Sequence, residues 1–234
     1  SGEKKVLIIT ESLGYTGGAL AAVYAAEALQ SRGYRIVLAA PEGNPVFVDE
    51  MKNRGLDLVI CPALPYLHQE ELAFIDLFDL VIVNVFPMIL CAAEISRRKP
   101  VVWWIHEASD FYHASLIRFC EYAEKEKLEN MDIYAVSRIA QENFNHYFPG
   151  RITKTLAYGI PDERGAMPQK TDDRIVFAVI GGVTPRKAQD IFVKAVKKLR
   201  LEYGDRARFL VIGTSGQDPY SMEVKKMASD SSIE

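Results

Sequence analysis

Short apolar runs recur from one end of the chain to the other, separated by longer segments in which apolar residues follow helical spacing. Each run is rich in Val and Ile and nearly uniform, which is typical of parallel strands covered on both faces. The runs predict strands at Lys5–Thr10, Arg35–Ala40, Asp57–Cys61, Leu80–Asn84, Val101–His106, Ile133–Val136, Thr153–Ala157, Ile175–Gly181 and Phe209–Gly213. The segments between them predict helices at Gly18–Arg32, Phe47–Arg54, Glu70–Asp76, Pro87–Arg98, Ser109–Glu129, Arg138–Tyr147, Pro185–Glu202 and Pro219–Ser229. Such alternation specifies a doubly wound parallel sheet.

The alternation occurs on both sides of a stretch with linker composition. Residues 159–173 hold two Gly, two Pro and little apolar periodicity, which places a domain boundary near residue 165. The prediction is an α/β protein with two Rossmann-like doubly wound parallel-sheet units, at residues 1–165 and 166–234. About 70 residues are few for a sheet domain of this kind, so the second unit either packs against the first or is incomplete. Ligands of such sheets bind at the carboxyl ends of the strands.

Composition and charge exclude several classes of protein. Hydrophobic residues make up 49% and charged residues 25% of the 234 residues, which excludes a disordered chain, a collagen-like chain and a coiled coil. The net charge of −3 argues against a dedicated nucleic-acid binder. It divides unevenly, because residues 1–165 hold 16 basic and 22 acidic side chains (−6) and residues 166–234 hold 12 and 9 (+3).

We expect a cytoplasmic protein. Its apolar stretches are broken well before the roughly 18–20 residues that cross a bilayer, and no signal peptide opens the sequence. The basic cluster Arg97-Arg98-Lys99 allows at most peripheral contact with a membrane. Three cysteines without CxxC spacing suggest neither a disulfide framework nor a zinc site.

The first candidate for chemistry is the glycine turn after the first strand. Gly14, Gly17 and Gly18 precede a helix whose amino end offers N–H groups to an anion. The spacing is neither GxGxxG nor a P-loop. The turn therefore either approaches a phosphate or is simply a tight turn that needs glycine.

The second candidate is the strand that ends in His106 and Glu107. An imidazole can exchange hydrogen bonds with a sugar hydroxyl near neutral pH, and a carboxylate can orient it. Side chains of adjacent strand residues diverge, so neither a His–Glu pair nor a metal site follows from the sequence. The alternative is a structural histidine that is satisfied by a backbone carbonyl.

The third candidate is the turn that contains Gly181, Gly182, Arg186 and Lys187. A guanidinium beside an ammonium at the start of a helix suits a diphosphate. Cations are unfavourable at that end of a helix unless an anion neutralises them, which favours a ligand site over a solvated surface.

With these residues in view, the chain resembles the family-4 glycosyltransferases of GT-B architecture, over nearly its whole length. The likeness rests on an ordered set of motifs: Thr16-Gly17-Gly18-Ala19, Val101–Glu107, Ala135-Val136-Ser137, Leu156–Asp162, Val179–Lys187 followed by Ala195, and Leu210–Gly213. The resemblance implies a retaining, hexosyltransferase-like enzyme of carbohydrate biosynthesis that needs no metal and no cofactor. Its substrates would be a nucleotide-diphosphate sugar and a saccharide or lipid-linked acceptor.

The resemblance also implies roles for individual residues. Arg186 and Lys187, with Gly182, would hold the donor diphosphate, and the Gly17-Gly18 turn would approach the donor phosphate from the opposite domain. His106 would lie beside the transferred sugar. Fixed cations suit this chemistry, because without a metal they must stabilise the departing diphosphate. The acidic first unit then suits the acceptor and the basic second unit the donor.

Two departures from the family pattern shape what we expect of this chain. Tyr158 stands where the family's hinge usually has Asn. A pair of glutamates that the family places later in its C-terminal domain does not occur before Glu234. We therefore expect a truncated chain with low or no activity.

Three other functions remain open at this stage. A nucleotide-sugar epimerase of the same architecture would convert a donor without an acceptor. A non-catalytic module would bind a nucleotide or sugar without turnover. An NAD-dependent oxidoreductase is disfavoured, because the first turn lacks GxGxxG.

Overall fold

The computed structural model describes residues 3–108, 130–162, 165, 173–214, 216–231 and 233. The chain divides into two compact units, Ser1–Glu163 and Arg164–Glu234, and each is described by itself. The first unit contains β1 (Lys5–Ile9), α1 (Gly17–Gln30), β2 (Arg35–Ala40), α2 (Pro45–Asn53), β3 (Asp57–Ile60), β4 (Leu80–Asn84), α3 (Ile89–Ser96), β5 (Val101–Ile105), β6 (Met131–Ala135) and α4 (Arg138–Tyr147). Short 3₁₀ helices lie at Leu64–Tyr66, Glu71–Leu77 and Phe86–Met88.

The first unit is built on one parallel sheet of six strands. Its strand order is β3-β2-β1-β4-β5-β6, and Val6 of β1 pairs with Ile36 on one side and Leu80 on the other. The chain winds in opposite directions from β1 and β4. A crevice therefore opens outside the carboxyl ends of these two strands, where doubly wound sheets bind their ligands.

Both faces of this sheet are buried, as the uniform apolar runs predict. Val6 and Ile8 of β1 pack in a core with α1 and α2, whereas Leu7 and Ile9 pack on the other face in a core with α3 and α4. Successive side chains of a strand point to opposite faces, so a strand covered on both sides needs apolar residues at every position. The sequence pattern and the burial therefore have the same cause.

The second unit is a small parallel α/β arrangement. It contains β7 (Ile175–Ile180), α5 (Gln189–Tyr203), β8 (Ala207–Ile212) and α6 (Pro219–Asp230), with 3₁₀ helices at Pro185–Lys187 and Gly204–Arg206. β7 and β8 pair in parallel. Val183, Val193 and Val224 form a buried core that joins the turn after β7 to both helices.

Several predicted elements differ in the structure. The strand predicted at Thr153–Ala157 is wrong, because only Thr155 pairs, through an isolated bridge to Ala135. The helix predicted at Glu70–Asp76 is a 3₁₀ helix, and the helix predicted at Ser109–Glu129 lies outside the described residues. No helix in the described part of the chain is long and apolar enough to span a membrane.

The helix predicted from Pro185 begins later. Pro185–Lys187 forms a separate 3₁₀ turn, Ala188 adopts a left-handed backbone (φ 54°, ψ 38°), and α5 begins at Gln189. Proline fits the start of either kind of helix, so the pattern could not separate them. Arg186 and Lys187 consequently precede the α-helix instead of occupying its first turn.

Ala188→Gly is expected to stabilise the protein by about 0.5–1 kcal/mol. A left-handed conformation costs an L-residue about 1–2 kcal/mol, and the greater freedom of glycine in the unfolded chain offsets part of that gain. Urea denaturation measures the difference. Ala195→Gly, inside α5, is the matched control and should destabilise by about 0.5–1 kcal/mol; equal effects of both substitutions would contradict the prediction.

Candidate functional site

The amino end of α1 follows the turn after β1. The Thr16 hydroxyl accepts from the Ala19 amide (3.3 Å) and the Thr16 carbonyl from the Leu20 amide (3.0 Å). These bonds satisfy the N–H groups of Ala19 and Leu20, the third and fourth of the helix. The Thr16 cap does not use the N–H groups of Gly17 and Gly18. The two predicted glycines differ in their surroundings: a Cβ on Gly18 would lie 2.8 Å from Val85 Cγ1, whereas a Cβ on Gly17 would meet nothing within 4 Å.

Gly18→Ala is expected to destabilise the protein by about 1–3 kcal/mol, since the added methyl group overpacks against Val85. Gly17→Ala places its methyl group in open space and should leave stability unchanged or slightly higher. Thermal unfolding of the two variants compares them directly. A Gly18→Ala variant as stable as Gly17→Ala would show that the contact with Val85 relaxes without cost.

Asn84 and Val85, at the carboxyl end of β4, hold the neighbouring turns in place. Asn84 is buried, and its amide donates to Thr10 Oγ1 (3.1 Å) and to the Gly18 carbonyl (2.9 Å). Val85 has φ 68° and ψ 153°, a conformation that costs a non-glycine residue about 1–3 kcal/mol and that clusters at functional sites. Its amide donates to the Trp104 carbonyl and its carbonyl accepts from the Trp103 indole. Neither residue was predicted from the sequence, although a polar residue that ends an apolar strand was a usable signal for Asn84.

His106 follows β5 and lies between two aromatic rings. Its ring centroid is 4.8 Å from that of Trp104 and 5.7 Å from that of Tyr158, on which it stacks at 29°. Nε2 is buried and has no hydrogen-bond partner among the described residues. Burial lowers the pKa of His106 to about 4. The imidazole is therefore neutral at physiological pH, so it can form hydrogen bonds but carries no positive charge.

Glu107 fixes the backbone around His106. Its Oε2 accepts from the backbone amides of Phe86 (2.9 Å) and His106 (3.0 Å). Burial raises the pKa of Glu107, the backbone donors oppose that rise, and the charge of Glu11 adds to it. The sequence suggested that Glu107 orients the imidazole. The observed bonds instead hold the main chain that carries the imidazole.

One cavity of about 180 Å³ brings the first two predicted motifs together. Gly18 comes from the first motif, and His106 and Glu107 from the second. The complete lining is Thr10, Glu11, Ser12, Thr16, Gly18, Ala19, Val85, His106 and Glu107.

Burial raises the pKa of Glu11, and the charge of Glu42 adds to the effect. Glu42 lines an adjoining cavity of about 280 Å³, which shares Ser12 with the first. Hydroxyls, carboxylates and an imidazole suit a ligand rich in hydroxyl groups.

The lowered pKa of His106 predicts a loss of stability in acid. Between pH 6.5 and about 4 the unfolded state binds a proton that the folded state does not, so stability falls as pH falls through this range. The full effect is about 3 kcal/mol. Glu11 and Glu107, whose pKa values are raised, act in the opposite direction. The difference in unfolding free energy between wild type and His106→Gln isolates the histidine, and a difference that does not vary from pH 7 to pH 4 would refute the prediction.

The third predicted motif lies at the carboxyl end of β7. Gly181 has φ 139°, and Gln189, which is fully buried, donates from Nε2 to the carbonyls of Gly181 (3.3 Å) and Gly182 (2.9 Å). The aliphatic part of Lys187 covers Gly181, since a Cβ there would lie 3.7 Å from Lys187 Cε. Arg186 is exposed on the same turn. Gly182, Arg186 and Lys187 thus belong to one short segment at the carboxyl end of β7, the edge where sheets of this kind bind ligands.

Solved structures share this fold. A glycosyltransferase from Rickettsia africae ESF-5 superposes with a TM-score of 0.66 at 13% identity, over 98% of this chain and 66% of that chain. WaaG, a glycosyltransferase involved in lipopolysaccharide biosynthesis, superposes with a TM-score of 0.59 at 13% identity, over 98% of this chain and 69% of that chain. UDP-bound MnaA of S. aureus gives a TM-score of 0.54 at 16% identity, over 95% of this chain and 65% of that chain. This chain therefore spans about two thirds of the length of each. The predicted fold class, Rossmann-like parallel α/β units of GT-B type, is confirmed.

Sequence comparison identifies the family. No protein of curated function matches the chain. The sequence model of the family described as Glycosyl-transferase family 4 matches residues 2–125, which is more than half of the 234 residues. This protein is a member of glycosyltransferase family 4.

Proposed function

We propose that this protein transfers a hexosyl group from a nucleotide-diphosphate sugar to an acceptor, with retention at the anomeric carbon and without a metal ion. Family membership supports the reaction class. The observation that carries the proposal is the single cavity in which His106, Glu107 and the Gly18 turn meet, at the switch point of the first sheet. The neutral imidazole can accept or donate a hydrogen bond to a sugar hydroxyl without adding charge.

In this proposal the donor diphosphate binds to Gly182, Arg186 and Lys187 of the second unit. The guanidinium forks across two oxygens, and the ammonium supplies a compact charge. Without a metal, such fixed cations must stabilise the negative charge that develops on the departing diphosphate. UDP is the first nucleotide to test, because the structurally similar S. aureus MnaA was solved with UDP.

The acceptor, in this proposal, is a saccharide that binds through its hydroxyl groups at the first unit. Glu11 and Glu42 line the two adjoining cavities and offer hydrogen-bond acceptors. Their negative charge would repel an anionic group, which favours an uncharged sugar at this position. A lipid-linked acceptor is compatible if its sugar, and not its phosphate, enters these cavities.

Calorimetry with UDP, GDP and ADP, followed by product analysis with UDP-sugars, tests the function. Nucleotide binding with transfer to a saccharide supports the proposal. Conversion of the donor without an acceptor would instead indicate an epimerase, and binding without turnover a non-catalytic module. Donor binding is measured before turnover, because it tests the donor site without requiring an acceptor. Absence of nucleotide binding would overturn the donor site.

A further inference from the structure

Most backbone N–H groups of the turn Gly181–Thr184 donate hydrogen bonds within the second unit. The Gly181 amide donates to the Ile212 carbonyl (2.9 Å) and the Val183 amide to the Thr214 carbonyl (2.9 Å). The Thr184 amide donates to Gln189 Oε1 (3.3 Å). The Gly182 amide alone in this turn has no acceptor among the described residues.

Gln189 determines where that remaining amide points. The side chain is fully buried and uses both N–H groups of Nε2 on the carbonyls of Gly181 and Gly182. A trans peptide holds its C=O and N–H in opposite directions, and no cis peptide occurs in the described chain. Because the Gly181 carbonyl points toward Gln189, the N–H of Gly182 points away from it.

The Gly182 amide and the Lys187 ammonium are donors on the exposed part of the same turn. Lys187 lies against Gly181, since a Cβ on that glycine would lie 3.7 Å from Lys187 Cε. Gly182 itself is exposed. A backbone N–H beside an ammonium recognises a phosphate oxygen.

We propose that Gln189 is a positioning residue for anion binding, which aims the Gly182 amide at a phosphate of the nucleotide donor. This inference rests on the proposed function and adds a residue that touches neither the donor nor the acceptor. The hydrogen bonds fix the orientation of the Gln189 side-chain amide. Its Nε2 faces two carbonyl oxygens, and its Oε1 faces the Thr184 N–H.

The test uses Gln189→Met, which keeps the length of the side chain and removes its hydrogen bonds. Ser221→Ala is the matched control, since Ser221 is equally buried and its hydroxyl donates to the Val183 carbonyl of the same turn (3.2 Å). Both variants should unfold more easily. Only Gln189→Met should weaken the binding of inorganic pyrophosphate and UDP, by about tenfold. Equal weakening in both variants would reduce Gln189 to a structural role and overturn the proposal.

A spectroscopic measurement on the wild-type chain keeps the proposal testable if Gln189→Met does not fold. In ¹⁵N–¹H spectra, pyrophosphate should shift the Gly182 amide proton downfield, in step with changes at Lys187. UDP binding that leaves the Gly182 amide unperturbed would overturn this inference and leave the proposed function standing. Pyrophosphate binding with a Gly182 shift, but no binding of any nucleotide, would overturn the proposed function and leave the anion site standing.

Discussion

His106→Ala is expected to slow sugar transfer by about 10²–10³-fold while the affinity for the nucleotide donor is largely kept. His106 lines the cavity, and its Nε2 is buried and has no hydrogen-bond partner in the part of the chain that the structure describes. An unpaired buried polar atom is costly, so the site gains when a sugar hydroxyl completes the hydrogen bond. The proposed donor site lies in the second unit, so nucleotide binding should change little.

Two aromatic side chains hold the His106 ring in place. Trp104 contacts the ring edge to face, Tyr158 stacks on it, and the Trp104 indole donates to the Leu156 carbonyl (2.7 Å). Tyr158 thereby covers one face of the histidine ring. Pre-organisation of this kind removes the cost of orienting the group during the reaction.

Steady-state rates and donor dissociation constants measure the effect, with His146→Ala as the matched control. His146 is exposed on α4 and contacts only Tyr147 among the aromatic rings of the described residues. His146→Ala should therefore behave like wild type. Unchanged transfer by His106→Ala would make the residue structural, and an equal loss of rate and donor affinity would place it in donor binding.

The sequence predicted the layered fold because burial on both faces leaves a local trace. A strand such as Val101–Ile105 must be apolar at every position when helices cover both sides of its sheet, and that requirement is visible in five consecutive residues. The glycine turn and His106 were found for a related reason. They directly follow predicted strands, and the carboxyl ends of parallel strands meet along one edge of the sheet.

The groups that organise the site depend on contacts between distant segments. Asn84 reaches Gly18 across 66 positions, and Gly18 is required because Val85 packs against it. Ala188, which is left-handed, and Gln189, which is buried, shape the turn that contains Gly181 and Gly182. The sequence shows the glycines of this turn but does not show its hydrogen bonds. Local patterns carry no information on such pairings, because tertiary packing decides them.

Arg186→Ala is expected to weaken UDP binding by about 10–100-fold. A hydrogen bond to a charged group contributes about 1.5–3 kcal/mol, which corresponds to this range. Arg186 is exposed and precedes α5, so its removal should leave the unfolding midpoint unchanged. Arg186→Lys should recover only part of the affinity, because an ammonium cannot fork across two phosphate oxygens.

Calorimetry with UDP, GDP and ADP at low and high ionic strength checks this expectation. Lys198→Ala is the control, because Lys198 is an exposed cation on α5 with the same charge and a place outside the turn. A diphosphate held by fixed cations must bind more weakly as salt screens the charges, and that dependence should shrink in Arg186→Ala. If Arg186→Ala loses a similar amount of affinity for all three nucleotides, Arg186 recognises the diphosphate and not the base. An equal loss in Lys198→Ala would mean that the overall positive charge of residues 166–234, and not the turn, attracts the nucleotide.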